Sequence, residues 1–204
     1  MTQNAPLESA RPARRLAIAL VHWPVLDQQG LIVTSAITNL DVHDLARSAR
    51  TYGCTDYFLV HPVSAQRELV ARICEHWRDG SSGKRIPDRK VALALVRTAP
   101  SLEDVYGELG GRENVDVWVT AARSVSQSPM EAAAARAKLE ERAEPGNEKT
   151  VLLLFGTAWG LAREVIDGAD AVLAPIRASE ATGYNHLSVR AACAILLDRL
   201  RGAR

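Results

Sequence analysis

Short apolar runs alternate with amphipathic stretches along most of this chain. LAIALV at 16–21, YFLV at 57–60, VDVWVT at 115–120 and VLLLF at 151–155 read as strands buried on both faces, and VALALV at 91–96 is an apolar run of the same kind. WPVLDQQG follows the first run as a loop whose turns are marked by Pro24 and Gly30. TNLDVHDLARSARTYG is a helix with both ends signed: Thr38 and Asp41 stand at capping-box spacing, Leu40, Leu45 and Ala49 fall near one face, and Gly53 supplies the stop. In SAQRELVARICEHW, Leu69, Val70, Ile73 and Trp77 recur at helical spacing. The polar stretch RDGSSGKRIPDRK then separates that helix from VALALV.

Pro100-Ser101 with Asp104 opens a short helix. Ser128, Pro129 and Glu131 supply an N-cap, a first-turn proline and an acidic third residue for an Ala-rich helix ending near Arg142, which AEPGNEK breaks. The last third continues with a glycine-containing turn, a helix from near Trp159, a short strand in AVLAPI, a polar loop, and a helix from about Leu187 to Leu200. Repeated strand and helix order with apolar strands predicts an α/β fold with a largely parallel sheet and helices on both faces. The reading gives one domain over residues 15–204, preceded by a disordered tail over 1–14 that has almost nothing to bury.

Composition narrows the partners. Lys and Arg total 25 against 24 Asp and Glu, so no global field recruits a polyanion, and local patches must do so. The candidates are Arg11, Arg14 and Arg15 in the tail and the group Lys84, Arg85, Arg89 and Lys90, although a charged loop is more often simply solvated. Cys54, Cys74 and Cys193 are odd in number and widely spaced, which fits small core residues rather than disulfides or a metal site. The amino terminus lacks the apolar run of a signal peptide and no segment has the length and apolarity of a membrane span, so a cytoplasmic protein is expected.

Ligands of open α/β sheets bind beyond the carboxyl ends of the strands, which directs attention to four loops: Thr120 to Ser124, Phe155 to Leu161, Ala174 to Arg177, and Gly183 to Ser188. Gly156 and Gly160 lie between strand and helix, where bare backbone can approach a ligand; their spacing satisfies neither the dinucleotide fingerprint nor the phosphate loop, and such a turn alone is ordinary punctuation. Asn39, His43 and Arg47 share one helix face. Their bland reading is a solvated stripe; the functional one is an arginine fork held beside the strand-end loops to steer a phosphate or polarise an acceptor. His22, His43, His61, His76 and His186 show no metal-binding spacing, and no nucleophile elbow is present.

Three of these stretches, in order, carry a family likeness. TNLDVHDLARSARTYG resembles the first motif of SPOUT methyltransferases, LLLFGTAWGLA their second, and YNHLSVRAACAILLDRL their third. With ALVHWPVLDQQG and RELVARICEHW, the chain resembles a small bacterial family of S-adenosylmethionine-dependent RNA methyltransferases related to the tRNA guanine-N1 methyltransferase catalytic domain. The resemblance implies a carboxyl-terminal trefoil knot, a homodimer, an RNA substrate and S-adenosylmethionine held in the knot loops. By position the pocket comprises Thr120, Ala121, Phe155, Gly156, Thr157, Gly160, Pro175, Ile176, Tyr184, Asn185, His186, Leu187 and Ser188, with Arg47 near the methyl acceptor and Asn39 supporting it. His186 or Asp41 is available to take a proton. Many relatives carry a Glu in the second motif where Ala158 and Trp159 stand here, which keeps open a non-catalytic knotted RNA-binding or assembly protein. A nucleotide-binding α/β protein of another class is supported only by generic element order.

Overall fold

The computed structural model describes residues 14–120, 128–141 and 148–203. Six parallel strands form one sheet in the order β5-β4-β1-β7-β6-β8: β1 is Leu16–Val21, β4 Asp56–Val60, β5 Val96–Ala99, β6 Val115–Thr120, β7 Thr150–Gly156 and β8 Ala171–Leu173. β1 and β7 lie at the centre, in register from Leu16 opposite Val151 to Val21 opposite Gly156. Their near-continuous apolar character follows from that place. Leu16, Ile18 and Leu20 pack on one face with Val151, Leu153 and Phe155, while Ala17, Ala19 and Val21 pack on the other with Leu152 and Leu154.

The first face is covered by helices α1 (Asn39–Thr51), α2 (Ser64–Asp79), α4 (Pro87–Leu93), α6 (Ala132–Glu140) and α8 (Val189–Arg201), the second by α5 (Leu102–Glu108) and α7 (Arg163–Asp167). α3 is the short Ser81–Arg85. The ends of α1 form as the sequence predicts. Thr38 Oγ1 accepts the Asp41 amide at 3.2 Å while the Asp41 carboxylate accepts the Thr38 amide at 3.1 Å. Gly53, at φ +69°, follows the last turn, with its amide on the Arg50 carbonyl at 3.3 Å and that of Cys54 on the Ala49 carbonyl at 2.9 Å.

Four boundaries differ from the sequence reading. The polar stretch after α2 is helical, because Pro87 opens α4 and Ala92 and Leu93 seat its last turn in the core; the strand begins only at Val96. The Ala-rich helix starts at Ala132 rather than after Ser128, since Met130 pairs with Leu173 and donates to the Val172 carbonyl at 2.7 Å. The helix expected near Trp159 starts at Arg163. The Trp159 and Ala162 amides bond instead to the Leu26 and Pro24 carbonyls, at 3.0 and 3.1 Å. Leu26 belongs to, and Pro24 directly precedes, a two-stranded antiparallel ribbon of β2 (Val25–Leu26) and β3 (Ile32–Val33), whose first strand lies in the segment read as a loop.

The expected tail lies outside the described residues except for Arg14, as do Arg11, Ala121 and Arg142. Arg14 and Arg15 are not free surface cations: Arg14 pairs with Asp116 at 2.8 Å and Arg15 with Asp56 at 3.4 Å. Cys54 and Cys193 are buried and unpaired, and burial raises both thiols, Cys54 to about 12. They are core residues with little thiolate character.

Candidate active site

All six strands end on one side, and a cavity of about 840 Å³ opens there beyond β1, β6 and β7. Three loops and one helix build its wall. The turn Gly156–Leu161 leaves β7, the segment Ala174–Ile176 leaves β8, Asn185–Ser188 leads into α8, and α8 contributes Val189, Ala192 and Leu196. The ribbon fixes the first of these: Leu26 donates to the Gly160 carbonyl at 2.9 Å and receives the Trp159 amide in return. The turn needs left-handed backbone at Ala158 (φ 50°) and Gly160 (φ 110°). Gly156 is required by packing, since a Cβ there falls 2.7 Å from the Leu161 amide nitrogen. A bulky change at Gly156 therefore breaks the turn itself, and occupancy of the cavity must be probed from another wall.

Of the residues expected to hold a cofactor, Thr120, Phe155, Gly156, Thr157, Gly160, Pro175, Ile176, Asn185, His186, Leu187 and Ser188 all line this cavity. Tyr184 does not; it is 66% exposed, with its ring 5.2 Å from that of His186. Asn39 and Arg47 are exposed on α1 and neither lines the cavity. His43, between them, turns inward to meet the Trp77 ring edge-on at 5.4 Å; burial, then Arg89 and Arg47, lower its pKa, with Asp44 opposing.

The lining suits a nucleoside-like ligand. Most of the wall is apolar, and among the described residues no backbone–backbone hydrogen bond engages Ile176, Asn185, His186 or Leu187, so their amides and carbonyls remain available. Such an edge, beside apolar side chains, can hold a purine in plane.

Sequence reasoning missed a polar chain at the cavity floor. His22, the first residue past β1, is 1% exposed and lines the cavity with Ser35 and Thr157. The Thr157 hydroxyl donates to the Val21 carbonyl at 3.0 Å, so its oxygen accepts from Ser35 Oγ at 2.5 Å. Ser35 has then spent its hydrogen, and its oxygen accepts from His22 Nδ1–H at 2.8 Å. This order sets the tautomer and leaves His22 Nε2 as a bare lone pair, buried and without a partner among the described residues. Burial pushes the His22 pKa down to about 4, helped by His61 and opposed by Asp41. His61 carries the opposite tautomer, donating Nε2–H to the Ser35 carbonyl at 3.0 Å and accepting the Val63 amide on Nδ1 at 3.1 Å. The available signal was position: His22 is a titratable residue directly after the first apolar run.

Asp41 ties the cavity to two helices. One carboxylate oxygen takes the Thr38 amide and hydroxyl at the start of α1; the other meets Arg190 of α8 at 3.3 Å. Among the described residues no group of three or more His, Cys, Asp and Glu is gathered to hold a metal, and no helix is long and apolar enough to cross a membrane.

A family model described as SAM-dependent RNA methyltransferase matches residues 15–202. The chain belongs to this family. Two bacterial relatives of this RNA methyltransferase family are named tRNA (guanine-N(1)-)-methyltransferase: one from Oleidesulfovibrio alaskensis is 41% identical over 94% of this chain, and one from Nitratidesulfovibrio vulgaris is 39% identical over 96%. This chain spans 43% and 44% of their lengths, less than half of each. Solved structures share the methyltransferase fold at low identity. A probable methyltransferase from Bordetella pertussis has a TM-score of 0.61 at 16% identity, with 92% of this chain and 95% of that one covered. The A. aeolicus TrmH/SpoU tRNA modifying enzyme has a TM-score of 0.53 at 11% identity, with 93% and 76% covered.

Proposed function

We propose that this chain transfers a methyl group from S-adenosylmethionine to RNA, with tRNA as the substrate class, and that the strand-end cavity holds the methyl donor. The observation that carries the reading is the cavity wall itself: apolar side chains beside the unengaged backbone of Ile176 and Asn185–Leu187, over a buried histidine with one bare nitrogen. Thr120, Phe155, Gly156, Thr157, Gly160, Pro175, Ile176 and Asn185 to Ser188 form the pocket in this reading. When bound, S-adenosylmethionine supplies an electrophilic sulfonium methyl. The protein's own part is to hold donor and acceptor in line and to exclude water, an arrangement worth about 7–11 kcal/mol in favourable cases.

Arg47 and Asn39 act from the exposed face of α1 in this proposal. Arg47, with Arg89 near the same His43, presents positive charge to an RNA phosphate, and Asn39 stands at the start of the same helix. The trefoil knot, the homodimer and a cytoplasmic location belong to the same proposal. Support for the dimer comes from the ribbon, which exposes Leu31 by 64% and Ile32 by 51% near the site. The tRNA class is supported by the names of the two bacterial relatives.

Ala192 offers the cleanest block, because it lines the cavity from the first turn of α8, away from the strained turn. Ala192→Phe is expected to fold and to bind S-adenosylmethionine at least about tenfold more weakly than the wild type by calorimetry, with loss of labelled methyl incorporation into unmodified tRNA. Equal binding by both proteins would remove the donor from this cavity. Tight binding without incorporation into RNA would favour a non-catalytic RNA-binding role.

A further inference from the structure

The chain Val21, Thr157, Ser35, His22 leads from a strand carbonyl to the cavity floor, and every hydrogen in it is assigned by its neighbours. It ends on a lone pair. A buried acceptor without a partner costs free energy, and proteins retain such atoms where a ligand or water completes them. The hydroxyl relay holds the ring so that only an acceptor is offered; rotation of the imidazole would break the bond to Ser35. Burial keeps the ring neutral; of the charged and titratable groups around it, Asp41 from α1 favours a proton, His61 beyond β4 opposes one, and Arg190 from α8 engages Asp41.

We propose that His22 Nε2 is a fixed hydrogen-bond acceptor for an N–H or O–H group of a nucleoside bound in the strand-end cavity, and thus a positioning residue of this site. The inference rests on the cavity being the methyl-donor site. It adds a selection rule. A nucleoside that presents a lone pair at this point meets another lone pair, so the cavity discriminates by the polar hydrogen and not only by shape. The nucleoside belongs either to the methyl donor or to the RNA, and both offer amine and hydroxyl hydrogens of the required kind.

The test follows the His22 ring nitrogens by ¹⁵N NMR in imidazole-labelled protein, first alone, then with S-adenosylhomocysteine, then with unmodified tRNA transcript added. The free protein is expected to show a protonated Nδ1 and a bare Nε2 at neutral pH. Movement of the Nε2 resonance toward the hydrogen-bonded range on adding S-adenosylhomocysteine assigns the contact to the donor's nucleoside; movement only after tRNA assigns it to the RNA. Two variants separate this contact from a structural one. His22→Asn keeps an amide N–H for Ser35 but has no atom at the Nε2 position, whereas His22→Gln reaches that position with an amide oxygen. His22→Asn is expected to bind the responsible ligand about tenfold more weakly, with recovery in His22→Gln. An unmoved Nε2 resonance under both ligands, with calorimetry showing S-adenosylhomocysteine bound, overturns the inference and leaves the donor site standing. Absence of S-adenosylhomocysteine binding in the wild type overturns both.

Discussion

Replacing Asp41 by Ala is expected to lower the unfolding free energy by about 2–4 kcal/mol, with the denaturant midpoint falling and the slope unchanged. Three losses combine at that residue. The helix cap loses the acceptor for the Thr38 amide, which on its own is worth about 1 kcal/mol. The Thr38 hydroxyl loses a partner at 2.6 Å. Arg190, two-thirds buried, keeps only Asp44 at 3.5 Å to balance its charge. Because Asp41 is 5% exposed, water does not replace these contacts freely. For a chain of this length the thermal midpoint is expected to fall by roughly 5–15 °C. A change below about 0.5 kcal/mol, the range of ordinary surface substitutions, would show that α1 and α8 are not joined through this carboxylate.

The second large effect is a loss of stability in mild acid. His22 titrates near 4 when folded, against 6.5 for an unperturbed histidine, so between these values the unfolded chain binds the extra proton. The contribution is therefore fully present above about pH 6.5 and is lost as the pH falls toward 4, at about 1.4 kcal/mol per pH unit and about 3 kcal/mol in all. Burial lowers His61 and His43 in the same direction and steepens the slope. Urea unfolding at intervals from pH 7 to pH 4.5 measures it. His22→Gln is expected to flatten the curve whatever its stability at neutral pH, and superimposable slopes for the two proteins would contradict the assignment of a neutral, desolvated His22.

The central strands were readable because both faces of β1 and β7 are buried, which forces uninterrupted apolar sequence. VALALV misled for a physical reason. A six-residue apolar run serves equally as the seated turn of a helix, and Pro87 upstream already favoured that outcome. The edge strand that follows carries Arg97, which pairs with Asp56 at 2.9 Å, so its pattern is not that of a buried strand. The start of α7 was invisible because the competing acceptors, the Pro24 and Leu26 carbonyls, lie more than a hundred residues earlier in the chain.

The site divided in the same way. Its loops could be named from strand ends and glycines, and each supplies at least one described residue to one cavity. Ser35 and Thr157 meet only through the fold, across 122 positions, and no local spacing announces them. His22 stood in view as a histidine without metal-ligand spacing; its meaning lies in the tautomer that two hydroxyls impose. Ala158 and Trp159 belong to a turn clamped by the ribbon, so this segment is built for shape rather than for charge.

The most direct test of the account is a crystal structure of the protein with S-adenosylhomocysteine. Density for the nucleoside is expected between the Gly156–Leu161 turn and the Pro175–Ser188 loop, with its base against the backbone of Ile176 and Asn185–Leu187. Density on another face of the sheet, or a complex that does not form at millimolar ligand, would contradict it.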